Sequence, residues 1–177
     1  MTFLHTLESA ELSLAIDIDQ GARISSINFR GYECAVPFRG ELLTWGWYAM
    51  APWAGRINNG LIQSRAGETF QLPTTFAPPH AIHGFGLTSS WQEIGSGRFL
   101  LDLPAPFNGA QVEQQFEVLD NALRWSIEYE AGKCDLPFWL GFHPWFPRDL
   151  ERGGSADRKS TRLNSSHVSE SRMPSSA

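Results

Sequence analysis

Three short stretches of this chain each place one protonatable or cationic side chain among glycines and aromatic rings. The first, WGWYAMAPWAGRINNGLI from Trp45 to Ile62, carries Trp45, Trp47, Tyr48 and Trp53, then Arg56 ahead of an Asn-Asn-Gly turn signal. The second is AIHGFG around His83, and the third is GFHPWFPR around His143. Histidine gives and recovers a proton near neutral pH without a large pKa shift. Arginine adds a fixed charge with several donors, and the rings offer apolar faces. Such a set looks like a site for a sugar.

Each residue also has a plainer reading. His83, beside glycines, could be a loop histidine that satisfies local backbone groups, and His143 a core histidine inside an aromatic cluster. Arg56 could be an exposed hairpin arginine or half of an ion pair. Trp45, Trp47, Trp53 and Trp91 could simply be core.

The composition limits what else the chain does. It has 177 residues, 42% of them hydrophobic, enough for one domain with a core. Seven Trp and twelve Phe with only 19% charged residues suit an all-β domain that meets a ligand through ring faces. The net charge is −5, and no basic run precedes residue 150, which argues against nucleic acid as a partner. No apolar run reaches the roughly 20 residues of a membrane span. The N-terminus lacks the pattern of a signal peptide, so a cytoplasmic protein is expected. Cys34 and Cys134 have no metal or redox spacing and read as two reduced, mostly buried thiols; no metal site is expected.

The elements that must position the three stretches all read as strands. Leu12, Leu14, Ile16 and Ile18 alternate with smaller or polar residues, and Arg23 to Phe29 and Tyr32 to Val36 follow in a meander. Asn58-Asn59-Gly60 predicts a tight hairpin between Ile57 and Leu61, with Arg56 just ahead of it. Gln63 to Leu72 reads as a further hairpin strand and Pro73 to His83 as a loop. Residues 92–103 form a hairpin around Gly95-Ser96-Gly97. Val112 to Val118 and Leu123 to Tyr129 are strands joined at Asp120-Asn121, and Leu136 to Phe146 runs into the second histidine motif. No segment has helical periodicity. The expected class is all-β, an antiparallel sandwich.

After Arg152 the composition changes. Residues 157–177, DRKSTRLNSSHVSESRMPSSA, are polar, Ser-rich and aperiodic, which reads as a disordered tail. A sharper reading is that DRKSTRLNSSH and SRMPSSA translate the two constant parts of a widely used short-read sequencing adapter. Val168-Ser169-Glu170 then falls where a sample barcode would sit. On this expectation residues 1–156 are a partial domain, cut mid-sheet with unpaired edges, and 157–177 are not native sequence.

PWAGRINNG, then HGFG with Trp91 eight residues after the histidine, then GFHPWF together resemble the aldose 1-epimerase (galactose mutarotase-like) family. The resemblance runs from about residue 10 to residue 150. Trp145 is a departure, since the family usually has Tyr there. The resemblance implies a mutarotase-like supersandwich that interconverts the α and β anomers of a galactose- or glucose-type aldose without a cofactor. It implies that His143 is the general acid at the ring oxygen, with His83 as second catalytic residue. His83, Arg56, Trp53, Asn58 and Trp145 would hold the sugar. The family's base is a glutamate far toward the C-terminus, with a sugar-binding aspartate before it, and both positions lie beyond residue 156. Asp149 and Glu151 follow the HP motif too closely to reach the opposite side of a sugar. Two other readings remain: a carbohydrate-binding sandwich without turnover, and a mutarotase of phosphorylated hexoses, for which only Arg56 and Arg65 are at hand. The sugar and the oligomeric state are not readable from the sequence.

Overall fold

The computed structural model describes residues 4–150 and 154–155. The chain divides into a unit of residues 1–146 and a second of residues 147–177. Nearly all regular structure is strand. In order these are β1 (Leu4–Glu8), β2 (Leu12–Asp17), β3 (Arg23–Phe29), β4 (Tyr32–Glu33), β5 (Trp47–Met50), β6 (Arg56–Ile57), β7 (Leu61–Gln63) and β8 (Thr69–Gln71). They continue as β9 (Ala81–Ile82), β10 (Gln92–Gly95), β11 (Arg98–Asp102), β12 (Gln111–Val118), β13 (Leu123–Glu130) and β14 (Gly141–Pro144). In the second unit β15 (Asp149–Leu150) and β16 (Gly154–Ser155) pair antiparallel. The stretch 157–177, expected to be non-native, lies outside the described residues.

Two antiparallel sheets make the sandwich. The first has the order β1-β2-β3-β5-β14, with β4 added on β3, and the second the order β10-β11-β12-β13. The alternation in β2 puts Leu12, Leu14 and Ile16 in the core, and β11 and β12 bury Phe99, Leu101, Val112 and Phe116 in the same cluster. Truncating any one of the largest of these to alanine would cost about 2–5 kcal/mol.

The core also holds a polar staple. Gln114 is 0% exposed, on the inner face of β12. Its amide nitrogen donates to the carbonyls of Gly21 (3.1 Å) and Ala22 (3.2 Å), and its oxygen accepts from the Trp125 indole N–H (3.2 Å). This ties the second sheet to the turn between β2 and β3. Gly21 has φ +89°, and a Cβ there would lie 2.6 Å from the Leu87 carbonyl oxygen, so only glycine fits the turn.

The strands depart from the sequence reading in several places, Tyr32 to Val36 being strand only over Tyr32–Glu33 and Gln63 to Leu72 only at its ends. Leu4–Glu8 is a strand with a half-exposed pattern that its composition does not announce. Asn58–Gly60 turns, but it does not close a hairpin. β6 pairs with β9, and β7 with β8. Within the turn Asn59 has φ 51° and Gly60 φ 66°, and Gly60 packs against Gln71 and Leu72, so the two flanking strands leave for different partners. Finally, Leu136 to Phe146 is strand only over Gly141–Pro144.

β13 and β14 are the outermost strands of their sheets. Leu123, Trp125, Ile127 and Tyr129 of β13 are only half-buried, and Phe142 and Phe146 are exposed. A cavity of about 490 Å³ opens here, lined by Leu12, Ile27, Trp47, Leu123, Trp125 and Phe146.

Replacing Gln114 by methionine keeps the volume but leaves two carbonyls and one indole N–H without a partner. Urea unfolding should show a loss of about 2–4 kcal/mol, against under about 0.5 kcal/mol for Gln115→Ala on the exposed face. Equal effects of the two changes would show that the staple contributes nothing.

Candidate functional site

β5 and β14 pair so that Tyr48 stands directly opposite His143, and Met50 opposite Gly141. Directly opposed residues share a face. Phe142, on the other face of β14, reaches Trp125 of the second sheet at a ring distance of 4.3 Å. His143 and Tyr48 therefore lie on the face of the first sheet turned away from the sandwich core. Pro144 has no N–H to donate and is tolerated because β14 is an edge strand.

His83 arrives from a different direction. It follows β9 with φ 59°, a left-handed conformation that few non-glycine residues adopt. Two reciprocal hydrogen bonds hold it there. Its backbone N–H donates to the Gly55 carbonyl (3.0 Å), and the Gly55 N–H donates to its Nδ1 (3.1 Å). Nδ1 is thus an acceptor, and in the neutral ring the proton sits on Nε2. At Gly84, φ is +74° and a Cβ would lie 2.0 Å from the Ala51 carbonyl oxygen, so the residue after His83 must be glycine.

The structure brings the two histidines together. Their ring centroids are 5.1 Å apart at 72°, edge to face. The His143 ring stacks with Tyr48 (4.9 Å, 17°) and with Trp145 (5.2 Å, 26°). His143 Nδ1 is enclosed without a protein partner, which leaves Nε2 as the nitrogen that can meet a ligand. Burial, then His143 and then the Arg56 charge push the His83 imidazole down to about 4. Burial also holds His143 below its ordinary value, and the Arg23 charge acts in the same direction. Among the described residues no carboxylate pairs with either ring, and the backbone contact that favours the charged form of His143 does not outweigh burial. Both are neutral at pH 7.

The other expected site residues divide. Arg56 is exposed, opposite Ile82 in the β6–β9 pair and close enough for its charge to act on His83. Asn58 is exposed at the following turn, and no contact brings its side chain to the imidazoles. Trp145 stacks on His143, but its indole N–H is committed to the Leu43 carbonyl (2.7 Å). Trp53 is corrected. It is 1% exposed and packs between Phe85 and Phe107, so it offers a sugar no face. An exposed indole is found instead at Trp139, 40% exposed, with its N–H on the Ala54 carbonyl (2.6 Å) next to Gly55.

Two residues escape a reading of the sequence alone. Tyr48 is fully buried beneath His143, and only the register of strands far apart in the chain reveals it. Arg23 is 0% exposed, with its guanidinium 4.3 Å from the Trp45 ring centroid and 4.7 Å from that of Tyr48. Among the described residues no group of three or more His, Cys, Asp or Glu side chains comes together as a metal site. No helix among the described residues is long and apolar enough to cross a membrane. Cys34 and Cys134 are free and half-buried.

Comparison with known proteins bears on the family and the fold. A family model described as aldose 1-epimerase matches residues 4–174. None of the curated proteins compared with the chain matches it. Among solved structures, a candidate aldose 1-epimerase of Escherichia coli K12 superposes with a TM-score of 0.71 at 22% identity, over 83% of this chain and 53% of that one. A protein of Synechocystis sp. PCC 6803 gives 0.66 at 18%, over 82% and 55%. A galactose mutarotase-like protein of Clostridium acetobutylicum gives 0.62 at 17%, over 81% and 50%. The chain spans about half the length of these structures.

The histidines make stability depend on pH with a definite sign. Folding lowers the His83 pKa from 6.5 to about 4. Its contribution is complete above 6.5 and is lost as pH falls toward 4, because the unfolded chain takes up the proton first. Asp17, whose carboxyl is raised by burial, acts in the opposite sense. Thermal unfolding should therefore drop by more than about 5 °C between pH 7 and about pH 4.5. His83→Asn tolerates φ > 0 and should flatten that slope; an unchanged slope would remove His83 as its source.

Proposed function

Because the chain belongs to the aldose 1-epimerase family, we propose that it is the histidine-bearing part of a mutarotase that interconverts the anomers of a free hexose. The observation that carries this is the edge-to-face meeting of His83 and His143 beside the Arg56 charge. The reaction moves protons at two oxygens. A base takes the proton of the C1 hydroxyl, the C1–O5 bond breaks, and an acid protonates O5. Rotation about C1–C2 and closure on the other carbonyl face return both protons. His143 acts as the acid through Nε2. His83, with its proton fixed on Nε2, and Arg56 donate to sugar hydroxyls and set the orientation. Asn58 borders this site, and Trp139 supplies the exposed ring face in place of Trp53.

The base is a carboxylate outside the described residues. Its charge would also raise the His143 pKa, which burial and the Arg23 charge depress, and so would supply the proton needed at pH 7. Two observations support a part-protein: the chain spans about half the length of its structural neighbours, and the inner face of β13 is only half covered. Residues 157–177 are then adapter sequence, although the family match runs on to residue 174. Sequencing the source DNA across the codons for Arg152 to Arg162 decides it: a frame that continues into strand-patterned sequence with a late glutamate supports this reading, and genomic DRKSTRLNSSH codons overturn it.

A sugar-binding module without turnover is the second reading, favoured by the lack of a carboxylate beside either imidazole among the described residues. A phosphorylated hexose is less well served. Arg65 lines a separate cavity of about 560 Å³ with Asp135, which leaves only Arg56 for a phosphate.

The 177-residue chain should shift the NMR signals of His83 and His143 on addition of D-galactose or D-glucose while scarcely accelerating mutarotation in the polarimeter. The complete gene product should be about 10²–10⁴-fold faster, and His143→Gln in it should lose most of that gain. A complete protein with no such gain would establish binding without turnover.

A further inference from the structure

The two rings that stack with His143 hang from one atom. The Tyr48 hydroxyl donates to the Leu43 carbonyl oxygen at 3.1 Å, and the Trp145 indole N–H donates to the same oxygen at 2.7 Å. On either side of it, the carbonyls of Leu42 (2.9 Å) and Trp45 (3.0 Å) accept from Nη1 of Arg23. Arg23 in turn lies against the Tyr48 ring. One short loop segment, Leu42 to Trp45, thus presents three carbonyls to Arg23, Tyr48 and Trp145. Burial raises the Tyr48 phenol, so it keeps the proton it donates.

We propose that Tyr48 and Trp145, fastened together at the Leu43 carbonyl and backed by Arg23, are positioning residues that fix the plane of the His143 ring and close off Nδ1, so that Nε2 alone meets substrate. This rests on the mutarotase reading for its substrate, though not for its geometry. A lone imidazole on an edge strand keeps rotation about its χ2 torsion, which is broad for such rings. The near-parallel Tyr48 and Trp145 rings and His83 edge-on restrict that freedom. A ring misplaced by an ångström costs proton transfer about 10²-fold. The arrangement also explains why a tryptophan serves at position 145. Its polar group is spent on the protein scaffold, and its ring is spent on His143.

The pH behaviour of His143 follows from what faces it: Tyr48 from β5, Arg23 from β3, and His83 after β9, with Arg56 behind His83. None of these is a carboxylate. Loosening the clamp admits water to Nδ1 and lets the imidazole return toward its ordinary pKa.

The test uses the full chain with ¹⁵N-labelled histidine, titrated with acid and separately with D-galactose. Unmodified, His143 should show one neutral tautomer and a depressed titration midpoint. Tyr48→Phe and Trp145→Phe each remove one donor to Leu43 and keep a ring. Each should raise that midpoint by about half a pH unit or more and mix the tautomers. Variants that melt at lower temperature but leave the His143 tautomer and midpoint unchanged would overturn the proposal, since the rings would then be packing alone. Should the variants not fold, exchange of the Trp145 indole N–H in the unmodified chain decides: protection of about tenfold or more supports the clamp, and free exchange overturns it. Galactose that leaves the His143 signals unmoved, with the clamp signature intact, would count against the sugar reading and leave the clamp standing.

Discussion

A buried guanidinium held by backbone carbonyls rather than by an ion pair, with Asp17 only opposite it across β2 and β3, is the constraint on which this fold depends. Arg23 is fully enclosed, and its donors go to the carbonyls of Gln20, Leu42, Trp45 and Leu87, at 2.9–3.0 Å. Desolvation pushes its pKa down to about 10, yet it stays charged at neutral pH because four carbonyl dipoles and two ring faces replace its water. These carbonyls come from three separate loops, so one side chain closes all three. Lysine could not substitute: a single ammonium lacks the planar fork that spans acceptors on several sides. Arg23 holds the loop at Leu42–Trp45, and the Leu43 carbonyl of the same loop accepts from Tyr48 and Trp145.

Much of the fold was legible in the sequence, and for a physical reason. Where one face of a strand is buried and the other wet, as in β2 and β12, the period of two is written directly into the residue types. β1 escaped because its inward residues are only half covered and its alternation is weak. The same limit explains Gln114, a polar residue on an inner face, whose partners in the turn at Gly21 lie far away in the chain. The site was legible in part. His83, His143 and Arg56 stand out because glycine and proline around them announce special backbone, and the structure brings them together. Trp53 and Tyr48 sit five residues apart in one aromatic stretch. Nothing local says that the first belongs to the core and the second to the histidine, because pairing between β5 and β14 decides it.

That pairing also sets the character of the molecule at its open side. β14 is the last strand of its sheet and β13 the last of the other, and rings from both, Phe142 and Trp125, meet between them. The imidazole face of β14 and its apolar face are therefore two sides of one short strand. Whatever covers the apolar side bears on the strand that carries His143.

The reciprocal hydrogen bonds between His83 and Gly55 have a consequence for how the site varies under mutation. In many enzymes the tautomer of a histidine is dictated by a neighbouring carboxylate, and one point mutation can reverse it. Here the instruction comes from a peptide group. Every amino acid except proline carries that N–H, so substitutions around His83 leave the proton's address unchanged. Only an alteration of the main chain itself, at Gly55 or Gly84, would rewrite it.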